Sequence, residues 1–125
     1  FFPRLEADAP TTYRAHLVAS LSYADAGLYP EAERAARRAF ELFKGDPQVF
    51  EQFGQTLRRQ GHCADALPVL AEGVQRFPDR TVARSRLIEC ALAMGDTARA
   101  RGIAAEAVAL GQTEFEATLK RLTSP

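Results

Sequence analysis

The chain has 125 residues, 46% of them hydrophobic and 26% charged, and its 16 basic and 16 acidic residues cancel to a net charge of zero. The apolar content suits one packed globular domain, and the missing basic excess argues against a nucleic-acid or anionic-membrane surface. No segment reaches the ~18 to 20 consecutive apolar residues that a membrane span requires. Fourteen of the basic residues are arginine and only Lys44 and Lys120 are lysine, which with the abundant alanine resembles the bias of GC-rich bacterial genomes. The start, Phe1-Phe2-Pro3-Arg4, is neither a signal peptide nor an initiator methionine, so the chain reads as part of a larger bacterial protein whose compartment stays open.

Caps and apolar spacing predict seven helices, over 12–26, 30–43, 47–60, 64–77, 81–94, 97–110 and 114–122. Ahead of them, Phe1, Phe2 and Leu5 read as the tail of an upstream helix that Pro3 keeps short. Gly27 closes the first helix, and Pro30 with Glu31 and Glu33 opens the second. Asp46 before Pro47 is an N-cap signal for the third, which turns Phe50, Phe53 and Leu57 to one face and ends at Gly61. In the fourth, Leu70, Val74 and Phe77 form the matching face, and Pro68 should cost a backbone bond or bend the helix. Asp79 is the N-cap candidate of the fifth helix, which Gly95 closes, and Asp96 that of the sixth. Thr113 with Glu116 makes a capping box ahead of a last helix whose apolar stripe is Phe115, Leu119 and Leu122.

Gly27, Gly61 and Gly95 recur every 34 residues, each followed five residues later by an alanine (Ala32, Ala66, Ala100) and twelve later by a small residue (Ala39, Gly73, Ala107). A fixed period of this length marks stacked helix pairs, and the small residues let antiparallel helices approach closely. The middle copy carries Phe50, Gly54, Leu57, Gly61, Ala66, Leu70, Gly73 and a closing Pro78. The first keeps Tyr23, Gly27, Tyr29, Ala32, Ala36 and Ala39, with His16 at the aromatic position; the third keeps Leu87, Gly95, Ala100, Ala104 and Ala107, with Arg84 there and no closing proline. These residues resemble the tetratricopeptide repeat family. The resemblance implies an all-α fold: a right-handed superhelix of three helix-turn-helix repeats, 13–46, 47–80 and 81–114, with a seventh, capping helix and tail at 115–125. Residues 1–12 form an N-terminal segment in which Pro10 stands where a preceding repeat would place its closing proline.

Candidate chemistry is sparse. Cys63 and Cys90 have no CxxC partner and read as buried thiols rather than a metal site or a bridge. His16 reads as a packing residue. His62 beside Cys63 lacks the orienting third group that nucleophilic catalysis needs. Ser20, Ser22 and Ser85 read as polar helix-surface residues, and the glycines are too dispersed for a phosphate-binding loop. No catalytic residue, metal or cofactor is assigned.

What the resemblance implies instead is a concave groove lined by the first helix of each pair, where this family binds peptides or helices of other proteins. Projected onto this chain, the groove takes Arg14, Leu17, Val18 and Leu21 from the first repeat and Gln48, Glu51, Gln52, Gln55, Arg58 and Arg59 from the second. Val82, Arg86, Glu89 and Ala93 come from the third. Leu17, Val18 and Leu21 would form an exposed apolar patch, covered by a partner or by Phe1 and Phe2 folding back. Gln48, Gln52, Gln55 and Arg59 fall above one another on one face, an amide ladder suited to a peptide backbone, with Arg59 or Arg86 for a carboxylate. One subgroup of the family grips chaperone C-termini with a set of lysines, asparagines and an arginine. Here Leu17, Leu21, Gln52 and Val82 stand at those places and only Arg86 agrees, against a cochaperone role. The expected function is a non-catalytic protein-interaction module with a protein or peptide partner, without nucleic acid or membrane contact. A second reading is a structural spacer or self-association unit beside an enzyme or membrane domain. RNA reading by related helical repeats fits poorly with the strict 34-residue spacing, Pro78 and zero net charge.

Overall fold

A computed structural model describes residues 9–124, with side chains from Thr12 onward; the expectations for Phe1, Phe2, Pro3 and Leu5 lie outside the described residues. The described residues form α1 (Ala9–Asp25), α2 (Tyr29–Leu42), α3 (Pro47–Arg59), α4 (Cys63–Arg76), α5 (Val82–Ala93), α6 (Thr97–Ala109), a short 3-10 turn (Thr113–Phe115) and α7 (Glu116–Thr123). The order is three antiparallel pairs and a cap. Pro10 is the second residue of α1, where its missing N–H costs nothing because a first-turn amide has no helical partner.

Backbone chemistry sets the ends of the pairs. Gly27, Gly61 and Gly95 have φ of +77°, +79° and +78°, the left-handed region in which a Cβ is strained. Each closes the first helix of its pair with the same two bonds. At Gly61 the amide donates to the Arg58 carbonyl at 3.0 Å and the next amide, of His62, reaches the Leu57 carbonyl at 2.8 Å, a Schellman motif. Gly111, at φ +87°, repeats it after α6, a closure that the 34-residue register does not flag. Asp46 caps α3 by accepting from the Gln48 amide at 2.9 Å, and Asp96 caps α6 through the Arg99 amide at 3.0 Å. Asp79 caps nothing: α5 starts behind Thr81, whose side chain makes no cap bond. The Thr113 and Glu116 capping box is also absent, because the 3-10 turn intervenes and seats Phe115 among Ile88, Ala91 and Ala107. Pro68 lies inside α4 as expected.

Packing follows the small-residue stripe. Ala32, Ala36, Ala39, Ala66, Ala100, Ala104 and Ala107 are all fully buried. A Cβ at Gly73 would come within 2.8 Å of the Phe50 Cβ, and one at Gly54 would overlap the Leu70 side chain. Substitution at either glycine forces the helices apart, at a cost of about 1–3 kcal/mol. Each helix packs on the next in sequence. Beyond that, α1 approaches α3 and α3 approaches α5, whereas α2 and α4, like α4 and α6, make no close backbone approach. The stack is therefore tighter on the side of the first helices, and that side is concave.

Candidate functional site: a cleft on the concave face

The inner row presents one residue from each repeat at equivalent places: Val18, Gln52 and Arg86 share a register, as do Leu21, Gln55 and Glu89, and Asp25 and Arg59. The structure draws several of them around a cleft of about 180 Å³, lined by Leu21, Ala24 and Asp25 of α1, Tyr29 of α2, Gln52, Gln55, Thr56 and Arg59 of α3, and Arg86 of α5. The α1 wall sets Leu21 and Ala24 beside the Asp25 carboxylate, and the opposite wall carries Arg59 and Arg86.

Arg86 crosses from α5 to donate to the Glu51 carbonyl at 2.9 Å, and it is half-buried. Burial disfavours its charged form, and the nearby Arg58 and Arg59 guanidiniums push the same way while Glu51 and Glu89 oppose. Its pKa is lowered in consequence, yet an arginine stays charged at neutral pH, so the cleft holds a partly desolvated cation. Arg59 is exposed at the rim, its Nη1 3.4 Å from the Tyr29 hydroxyl and its guanidinium 5.8 Å from that ring's centroid. Glu51 does not face a ligand: it is buried and takes a bidentate pair from Arg80 at 2.8 and 3.0 Å. Arg58 donates to the Gln55 side chain at 3.0 Å and lies 3.6 Å from Glu89.

Some expected groove residues are elsewhere. Leu17 is 3% exposed and packs with Tyr13, Ala39, Val49 and Phe50, so the apolar patch shrinks to Val18 and Leu21, which are 59% and 47% exposed. The amide ladder does not form. Gln52 is 7% exposed and spends its amide N–H on the Ser20 hydroxyl at 3.1 Å, and that hydroxyl donates to the Ala32 carbonyl at 2.7 Å. Ser20 is thus an interhelix link rather than a surface residue, while Ser22 and Ser85 are exposed. Its register held the clue, since Ser20 precedes the close-contact Gly54 by 34 residues. Gln48 is exposed outside the cleft lining, as is Arg14, whose guanidinium lies 5.6 Å from the Tyr13 ring centroid. Val82 lies near Phe115 instead, and Ala93 is exposed outside the lining. Asp25 and Tyr29 join the site without having been singled out.

Cys63 and Cys90 are free and buried, with the Cys63 thiol donating to the Cys90 sulfur at 2.8 Å. Burial and that contact push Cys90 up to about 12. Among the described residues no group of His, Cys, Asp and Glu is placed to hold a metal ion.

Known proteins place this architecture. The sequence profile described as tetratricopeptide repeat matches residues 57–122. A TPR repeat-containing protein of Pseudomonas aeruginosa is 38% identical over 55 residues, a match that spans 44% of this chain and only 9% of that protein. Among solved structures, PcrH from Pseudomonas aeruginosa superposes with a TM-score of 0.80 at 20% identity, over 90% of this chain and 92% of that one, a likeness of fold.

Proposed function

Because this chain belongs to the tetratricopeptide repeat family, whose repeats are generally protein-interaction modules, we propose that its concave face binds a peptide segment of a partner protein without catalysing a reaction, as one part of a larger bacterial protein. The observation that carries this reading is the cleft in which Leu21 of the first repeat, Gln55 and Arg59 of the second and Arg86 of the third converge. An apolar peptide side chain fits against Val18 and Leu21, and an acidic side chain or C-terminus two or three residues on meets Arg86 and Arg59. Charge-assisted bonds of this kind contribute about 1.5–3 kcal/mol each, which translates to roughly 10- to 150-fold in affinity.

Selection from a phage-displayed peptide library tests the reading. Enriched peptides should pair an acidic with an apolar residue and bind the native chain. Arg59→Ala with Arg86→Ala should weaken them at least tenfold without lowering the melting temperature by more than a few degrees. Equal binding by the double variant would remove the cleft from the mechanism. Gln52→Ala is a poor probe, since it breaks the buried bond to Ser20. Light scattering addresses the competing reading, because a stable dimer covering this face would make it an assembly surface.

A further inference from the structure

A second hollow, of about 540 Å³, opens on the side away from the concave cleft, between α4 and α6 with α5 as its floor, and Val74, Leu87, Ile103 and Leu110 supply apolar wall. The corresponding gap one repeat earlier is full. There Phe40 and Phe50 stand edge to face at 5.3 Å between centroids, and Phe50 and Phe77 at 6.0 Å. Thirty-four residues further on, the positions of those three rings hold Val74, Arg84 and Gly111. One ring is replaced by a smaller side chain, another is lost to a glycine and the third becomes a guanidinium, so the space the aromatics occupied stands open.

Arg84 is 1% exposed, and its bonds are poor for a buried cation. Nη1 lies 3.3 Å from a Glu106 carboxylate that is itself 67% exposed, Nη2 lies 3.4 Å from the Pro78 carbonyl, and Nε has no partner. A guanidinium is permanently charged and prefers to give two parallel N–H groups to one carboxylate. The hollow thus combines apolar walls, a volume in the ~300–1,000 Å³ range of small-molecule sites, and one cation with unmet donor capacity. A single cation faced by the Glu106 carboxylate favours a monoanion over a dianion.

We propose that this outer cavity binds a small apolar monocarboxylate, with its hydrocarbon chain against Val74, Leu87 and Ile103 and its carboxylate on Arg84, releasing Glu106 to the water that already surrounds it. The site is independent of the concave cleft and uses none of its residues.

Sodium octanoate titrated into the full chain, followed by amide chemical shifts, tests the proposal. Saturable shifts on α4, α5 and α6 are expected, with 1-octanol at least tenfold weaker. Arg84→Leu should abolish the preference for the acid over the alcohol. Val74→Phe, which restores the ring found at position 40 and leaves Arg84 in place, should block octanoate while unfolding cooperatively. Glu106→Gln, which removes the competing carboxylate, should bind octanoate several-fold more tightly, and Arg59→Ala, at the exposed rim of the concave cleft, should bind it unchanged. The proposal falls if no saturation appears at millimolar octanoate, if 1-octanol binds equally well, or if binding survives Val74→Phe.

Discussion

The Cys90 thiol, its sulfur 2.8 Å from that of Cys63 in an apolar interior, keeps its proton more firmly than a solvent-exposed thiol does. Burial is the leading cause of the upward push on Cys90, to about 12, with the Cys63 contact adding to it. Only a thiolate attacks an electrophile, so iodoacetamide should label the native chain at pH 8 at least a hundredfold more slowly than the chain in urea; equal rates would contradict the burial. The linkage has a defined sign. An acid whose folded pKa is raised contributes stability below its unfolded value and loses it as pH rises toward the folded one. The stability difference between the native chain and Cys90→Ala should therefore narrow from about pH 9 to 12, as read by urea unfolding. Tyr13 is shifted in the same direction, first by burial and then by its bond to Asp46.

Asp46 works at the scale of the element. One carboxylate oxygen caps α3 at the Gln48 amide, and the other accepts the buried Tyr13 hydroxyl of α1 at 2.7 Å, tying the first helix to the start of the third. Losing the cap costs about 1 kcal/mol and stranding the hydroxyl about 1–3 kcal/mol. Asp46→Ala should thus lose roughly 2–4 kcal/mol of stability in urea, and Tyr13→Phe less. In a double-mutant cycle the two should be non-additive; full additivity would mean the link is not energetic. This cap was legible in the sequence because it is local, and so were Asp96 and the three register glycines. Asp79 and Thr113 looked equally good and failed. The Pro78 carbonyl between the fourth and fifth helices is held by Gln112 at 2.7 Å and Arg84 at 3.4 Å, partners that no local pattern reveals.

At the scale of the molecule, a period of 34 residues placed the helices and sorted the first helix of each pair to one face, but it could not distinguish exposed groove from buried seam. Leu17, Ser20 and Gln52 all lie on the inward side of their helices, and whether each meets solvent depends on how closely the next repeat approaches. That approach shows in contacts made far along the chain, where Leu17 packs on Val49 and Phe50 and Gln52 reaches Ser20. Stacking of this kind makes stability a sum of neighbour contacts, with the interior pair supported on both sides and the ends on one. Hydrogen exchange should accordingly be slowest in α3, faster in α1 and fastest in α7; uniform protection would indicate a single cooperative unit. The inner row is also stitched across both junctions, by Gln52 to Ser20 and by Arg86 to the Glu51 carbonyl, whereas successive second helices make no close backbone approach. Those stitches act as hinge pins. A stack pinned along its inner row and spaced more widely on the other side should yield first at its outer gaps, as a concertina does, while the inner face keeps its spacing.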